Sequence, residues 1–356
     1  MQINKIQNAD VRGKKVLIRA DFNVSVDDNG DAKSLYKIHA VKDTVDLLLQ
    51  NGATHIALLT HFGRPEEVEN KMEFSLQCLV DDVSRVLERD VVFVSDCVGE
   101  SVQKEIEGHA DGKIMLLENV RFYEEEKKDI QSFAAKLCML FDVYVNDAFG
   151  VSHRKHASLH AITKCIPSYA GLWLQKEIEN LHKVKKNPEH PAVAIIGGAK
   201  IDTKLPMISE FSKKYDKVLV GGKTAVEAQE REMKFDEKVV FPIDFEYKFL
   251  DIGSKTIDNF CDAIAHAKTI VWNGPMGLIE EEKYKKGTIA LISAIAENEE
   301  CFSLIGGGES AQLVEESGLM DKISFVSTGG GAMLAYLGGE EMPGISVLSC
   351  SNDIKC

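Results

Sequence analysis

Short β-branched apolar runs alternate with longer stretches whose apolar residues recur at helical spacing, from one end of the chain to the other. That alternation is the mark of parallel sheets whose strands are joined by crossover helices. In the first half the runs predict strands at 16–20, 56–60, 91–94, 114–117 and 143–146. In the second half they predict strands at 193–196, 217–220, 270–272, 301–305 and 323–327. Between the halves, Trp173, Ile178, Leu181 and Val184 are helically spaced, and Pro188 and Pro191 end the pattern, which predicts a connecting helix over 172–187. The expected fold class is α/β, with two doubly wound parallel-sheet, Rossmann-like lobes joined by this helix and a hinge.

Composition agrees with two lobes, because 356 residues at 44% hydrophobic are enough for two cores. A net charge of -14 argues against a nucleic-acid partner, so any phosphate site must be local. No stretch approaches the ~20 apolar residues of a membrane span, and the first ten residues lack the apolar core of a signal peptide. The expectation is a cytoplasmic chain with no membrane partner. Eight cysteines without a C-x-x-C pair read as reduced thiols, including Cys350 and Cys356, whose spacing would allow a crosslink. The charge run 124–129 reads as a solvated turn or helix start.

Ligands of open parallel sheets bind outside the carboxyl ends of the strands, and there the two halves differ. After the first-half strands come side chains: Asp21 and Asn23, His61 and Arg64, Arg121, then Arg154. Any one arginine taken alone reads as a surface charge paired with an acid. Three at separate strand ends, with His61, read as guanidinium forks converging on one small anion. Asp21 and Asn23 are turn formers that can also hold a hydroxyl of the same ligand. His153, His156 and His160 have a spacing that invites a metal, but no acid or thiol is spaced to complete a site, and a polar helix face accounts for them equally well.

After the second-half strands come glycines: Gly197-Gly198, Gly221-Gly222, Gly274 to Gly277, and the triplets Gly306 to Gly308 and Gly329 to Gly331. Each triplet precedes a helical pattern, so bare backbone N–H groups meet a helix N-terminus, a natural phosphate site. Lys200 and Lys204, four apart at the start of a predicted helix, are expected to project from one face and to favour an anionic ligand. Fixed positive charge of this kind is what phosphoryl transfer requires. Glu309 fits a metal–phosphate complex, or simply an acid that complements the helix dipole. The P-loop pattern fails around Gly222-Lys223-Thr224, because Lys217 stands where its first glycine belongs. The stretch 306–311 fits a dinucleotide fingerprint, yet the next strand ends without an acid for a ribose hydroxyl. A kinase is therefore favoured over an NAD-linked enzyme.

These segments, in order from 16–24 through 60–65, 116–122, 142–150, 196–200, 271–277, 305–309 and 327–332, resemble those of phosphoglycerate kinases nearly end to end. The resemblance implies reversible transfer of the acyl phosphate of 1,3-bisphosphoglycerate to MgADP, giving 3-phosphoglycerate and MgATP, by a cytoplasmic monomer with Mg²⁺ as cofactor. It implies a 3-phosphoglycerate lobe of residues 1–170 with the tail 336–356, a connecting helix 171–187 and a nucleotide lobe 188–335. It assigns Asp21, Asn23, Lys37, His61, Arg64, Arg121 and Arg154 to 3-phosphoglycerate. To the nucleotide it assigns Gly198, Lys200, Lys204, Gly221, Gly222, Asn273, Pro275, Gly277, Glu280, Gly307, Gly308, Glu309 and Ser310. Lys37, Lys204 and Gly330 are assigned to catalysis, and Glu309 to the metal.

Six features depart from the family pattern. Lys37 replaces an arginine, Glu309 an aspartate, Phe325 a histidine, Lys223 a third glycine and Ser254 a proline, and the stretch 241–250 is much shorter than expected. Lysine keeps charge but loses the planar fork, and glutamate is one methylene longer. The alternative reading is therefore a catalytically weakened relative that binds nucleotide or serves a regulatory role.

Overall fold

The computed structural model describes residues 3–27, 29–108 and 112–349, so Cys350 and Cys356 lie outside the described residues. The chain divides into two compact units: one runs to Glu177 and resumes at Glu341, and the other is Ile178–Glu340. The boundary falls inside the helix Leu172–Lys186.

The first unit is built on β1 (Lys15–Arg19), β2 (His55–Leu59), β3 (Val91–Val94), β4 (Lys113–Leu117), β5 (Val143–Asn146) and β6 (Ser168–Ala170). Their order is β3-β4-β2-β1-β5-β6, and every pairing is parallel. The unbroken apolar runs follow from burial on both faces. Val16, Ile18, Ile56 and Leu58 pack into one core, while their neighbours Leu17, Ala57 and Leu59 pack into the other. Strand order reverses at β1, which opens a crevice between the carboxyl ends of β1 and β5. The returning chain is tied in where Asn146 Nδ2 donates to Gly344 O (2.9 Å).

The second unit holds β7 (Ala192–Ile196), β8 (Lys217–Val220), β9 (Val239–Val240), a hairpin of β10 (Phe245–Glu246) and β11 (Asp251–Ile252), then β12 (Thr269–Asn273), β13 (Phe302–Gly306) and β14 (Phe325–Ser327). The main sheet is parallel in the order β14-β13-β12-β7-β8-β9, the doubly wound arrangement with its switch point between β7 and β12. Both glycine triplets run into helices, Gly308–Glu316 and Gly330–Gly338.

All ten expected strands are present with ends shifted by a residue or two. Those not foreseen, β6, β9 and the β10–β11 pair, are two or three residues long, too short to carry a period. The charge run is not wholly solvated. It forms a short helix, Glu124–Lys127, whose Glu126 is fully buried and accepts from Ser158 N (2.8 Å) and Ser158 Oγ (2.6 Å). A carboxylate can be buried there because both hydrogen bonds are supplied by the neighbouring loop.

Candidate active site

Cations gather at the carboxyl ends of β1, β2, β4 and β5. Arg19 ends β1 fully buried, its Nε donating to Ser158 Oγ (2.8 Å) and its Nη2 lying 3.4 Å from His61 Nδ1. Burial, reinforced by the charges of Arg19, Arg121, Lys37 and Arg154, holds His61 well below the usual imidazole range. His61 is thus a neutral hydrogen-bonding group inside a positive field.

Arg121 donates through Nη1 to Gly63 O (2.7 Å), and its buried Nε has no partner among the described residues. Burial, with Arg154 and Arg19 nearby, brings its pKa down to about 10. Half-buried Arg154 places Nε 3.4 Å from His153 Nε2, and His153 Nδ1 is likewise buried and unpartnered. Burial and the charge of Arg154 bring His153 down to about 4. Lys37 Nζ lies 3.2 Å from both Asp21 Oδ2 and Asn23 O, and Asn23 Oδ1 accepts from Gly63 N (2.9 Å). The loops are fastened by Asn119, which accepts from Arg121 N (3.0 Å) and donates to Phe62 O (2.7 Å) and Phe74 O (2.9 Å).

Asp21, Asn23, Lys37, His61, Arg121 and Arg154 are therefore brought together. Arg64 points outward, 68% exposed, and pairs with Glu67 (3.0 Å). Unpartnered donors in a basic hollow are costly at about 1–3 kcal/mol each, and an anion relieves that cost. The sequence reading missed Arg19 and His153 as site-facing groups. Arg19 carried one signal, a charge directly after the apolar run Val16 to Ile18.

The three histidines do not share a helix face, because residues 153–160 form successive turns. His160 Nδ1 pairs with Asp129 (2.7 Å) and His156 faces Glu126 (3.7 Å). Among the described residues no group of three or more His, Cys, Asp or Glu side chains is arranged to hold a metal ion.

In the second unit the loops after β7, β8 and β12 are pressed together. Gly198 N donates to Pro275 O (2.7 Å), Gly222 N to Met276 O (3.1 Å) and Thr224 N to Gly198 O (2.9 Å). Gly222 has φ +60°, and a Cβ there would stand 2.8 Å from both Gly198 N and Pro275 O, so only glycine fits. Gly221 is packed against Met276. A Cβ on Gly330 would meet Gly307 Cα at 2.8 Å, so the two glycine triplets touch backbone to backbone. Neither following helix has a side-chain cap, which leaves two sets of N–H groups open to an anion. Ser310 Oγ, buried in the first turn of one of these helices, has no partner among the described residues.

Lys204 is 7% exposed and donates from Nζ to Asn273 Oδ1 (2.5 Å), while Asn273 Nδ2 reaches Gly330 O (3.4 Å). Burial lowers its pKa to about 8, and the Glu309 carboxylate pulls the other way. Lys200 does not share a helix face with Lys204. It takes a left-handed conformation (φ 65°) before a short 3-10 turn, exposed, and the α-helix begins only at Leu205. Pro206, which lacks an N–H, suits that first helical turn.

A cavity of about 460 Å³ opens beside these loops, lined by Gly198, Gly222, Lys223, Pro275, Gly277, Glu280 and Glu309 with apolar neighbours. Lys223 stands in the first turn of the helix Gly222–Glu230, 70% exposed and 4.0 Å from Glu227. Phe325 opens β14 opposite Leu304, two residues before the strand's carboxyl end. Exposed Glu309 in the first turn of its helix suits Mg²⁺ as a partial ligand, since that ion draws most of its oxygens from phosphate and water.

A basic side-chain site on one parallel α/β unit and paired helix N-termini with a buried lysine on the other define the chain as a kinase. The family model described as "Phosphoglycerate kinase" matches residues 6–231 and 224–340. The chain belongs to the phosphoglycerate kinase family. It is 39% identical to the phosphoglycerate kinase of Dictyoglomus turgidum across 96% of this chain and 97% of the relative. It is 38% identical to the cytosolic phosphoglycerate kinase of Triticum aestivum across 97% and 98% of the two chains. The solved phosphoglycerate kinase of Pyrococcus horikoshii OT3 is similar at a TM-score of 0.87 and 27% identity, over 97% of this chain and 98% of that one. No helix among the described residues is long and apolar enough to cross a membrane.

Proposed function

We propose that this chain catalyses the family's reaction in full: reversible transfer of the acyl phosphate of 1,3-bisphosphoglycerate to MgADP, with a carboxylate as acceptor in the reverse direction. The carrying observation is Lys204, a buried ammonium on Asn273 beside two uncapped helix N-termini. A weakly solvated positive charge at that place stabilises the transferring phosphoryl group far more than one in water.

In this reading Asp21, Asn23, Lys37, His61, Arg121 and Arg154 hold 3-phosphoglycerate, with the open Nε of Arg121 ready for one of its oxygens, and Arg64 joins them by exchanging Glu67 for the ligand. Gly198, Lys200, Gly221, Gly222, Asn273, Pro275, Gly277, Glu280, Gly307, Gly308 and Ser310 hold the nucleotide. Lys204 and the Gly330 N-terminus follow the phosphoryl group, and Lys37 supports the acceptor carboxylate. Mg²⁺ held by Glu309 and the phosphates would offset charge on the nucleotide. Transfer further requires the two units to close with both substrates bound, excluding water as the reacting groups come into line. The enzyme is proposed to act as a cytoplasmic monomer on these small molecules.

The test is a coupled assay of ATP consumption with 3-phosphoglycerate and Mg²⁺ or Mn²⁺. Consumption that depends on 3-phosphoglycerate is expected. A folded chain without turnover overturns the proposal, and retained nucleotide binding in that case identifies the weakened relative.

A further inference from the structure

Cys138 ends the helix Gln131–Cys138 and is buried, whereas Cys165 follows the 3-10 turn Ala161–Lys164 and is exposed. The helix packs on that turn, and a hydrogen bond joins the two thiols. Gln131, Ala135 and Cys138 share one helix face at i, i+4 and i+7, with the small Ala135 leaving room between the longer side chains. Gln131 Nε2 donates to Cys165 Sγ (2.9 Å) and to Ala161 O (3.2 Å), and Ala161 N donates to Asp129 Oδ1 (3.0 Å). Segments separated in the chain by β5 are thus held so that a buried sulfur and an open one face each other.

Burial, with the charge of Cys165 and the hydrogen bond to it, pushes the Cys138 thiol up to about 12. Cys138 therefore stays protonated, and exposed Cys165 is the sulfur that meets a reactant. Cys78 is the other exposed thiol among the described residues, and the groups that act on it are the carboxylates Glu118 and Asp82 rather than a second cysteine.

We propose that Cys138 and Cys165 form a reversible redox site, closed to a disulfide by a small oxidised disulfide such as oxidised glutathione and reopened by excess thiol. Cys165, as thiolate, attacks one sulfur of the small disulfide, so that a mixed disulfide forms on Cys165 and the first small thiolate leaves. The charge on Cys165 that helped to keep Cys138 protonated is then gone. Cys138 loses its proton, and its sulfur attacks the Cys165 sulfur and expels the second small thiolate. Two protein thiols are oxidised, one small disulfide is reduced, and the two protons released by the cysteines end on the two small thiols.

The bond would close a ring over residues 138–165, which contains β5 and the turns that carry His153, Arg154 and Ser158. Closing it restrains the unfolded chain and pins one wall of the basic hollow to the helix behind it. In a reducing thiol pool the pair stays open, and it responds when the oxidised fraction of that pool rises.

The test is incubation of the full chain with oxidised glutathione, followed by alkylation, peptide mapping by mass spectrometry and measurement of Tm. The wild type is expected to yield a peptide linked through Cys138 and Cys165, while Cys78 stops at a glutathione adduct. Tm should rise by about 5 °C and return when excess thiol is added. Cys138→Ala should trap the glutathione adduct on Cys165 with no rise in Tm, and exposed Cys165→Ser should show neither link nor rise. Cys138 recovered as a free alkylated thiol after Cys165 has reacted overturns the proposal, as does a failure of Cys165 to react or its linkage to another cysteine. A Cys138–Cys165 link with an unchanged Tm overturns the locking of the loop.

Discussion

Replacing Lys204 by methionine is expected to make the ligand-free protein more stable and the enzyme nearly inactive. The ammonium is 7% exposed and its pKa falls from the ordinary 10.5 to about 8. At 1.36 kcal/mol per pH unit, holding that charge in the fold at pH 7 costs roughly 3 kcal/mol. Methionine fills similar space without charge but orphans Asn273 Oδ1, which gives back about 1–2 kcal/mol. The net expectation is a gain of about 1–2 kcal/mol, or roughly 2–8 °C in Tm. Turnover should fall at least 100-fold, as expected when a preorganised charge is removed from a transferring group. Buried Trp272 adjoins Asn273 on β12, so its fluorescence during urea unfolding, in a Trp173→Phe background, follows this unit. The wild type should also gain stability as pH rises from about 8 to 10.5, because the unfolded lysine binds more protons across that window. Lys204→Met should lack this rise. A variant less stable than wild type by more than about 1 kcal/mol would refute the burial argument.

Three further outcomes follow from the same geometry. Gly330→Ala would drive a Cβ to 2.8 Å from Gly307 Cα and part the two phosphate-facing turns, so turnover should drop on the order of 100-fold in the coupled assay; near-normal turnover would show that the turns tolerate separation. Lys37→Arg, with Asp21 and Asn23 O in place to receive a planar fork, is expected to raise kcat/KM several-fold, and a fall would count against a role for this cation on the acceptor. His61, His153 and His156 should weaken the fold in acid. Their folded pKa values are depressed, to about 4 for His153, so the unfolded chain binds more protons as pH falls below about 6.5 and stability is lost down through about 4. Asp147, raised by burial to about 7, works in the opposite sense. Tm of His153→Gln should therefore fall less steeply than wild type between pH 6.5 and 4.5, and parallel slopes would refute this.

Much of the architecture was legible in the chain because a parallel sheet buried on both faces demands continuous apolar runs, and runs this short, bounded by turn residues, suit strands better than helices. Val16 to Ile18 and Val193 to Ile196 announced central strands for that reason. The glycine turns were legible too, since Gly222 and Gly330 stand where a Cβ has no room. The short pieces were not: β9 and the β10–β11 hairpin exist through what they pair with, and their two residues each carry no pattern.

By itself, then, the sequence determined the twin sheets, the strand ends that carry chemistry and the contrast between a side-chain-built site and a glycine-built one. Each of these depends on local residue type and spacing. The tertiary structure alone decided how every charge is used. It turned Arg64 toward Glu67, buried Arg19 against His61, separated exposed Lys200 from buried Lys204 and set Phe249 at a cavity wall. Solvation and electrostatic fields are summed over neighbours distant in the chain, and linear spacing does not encode that sum.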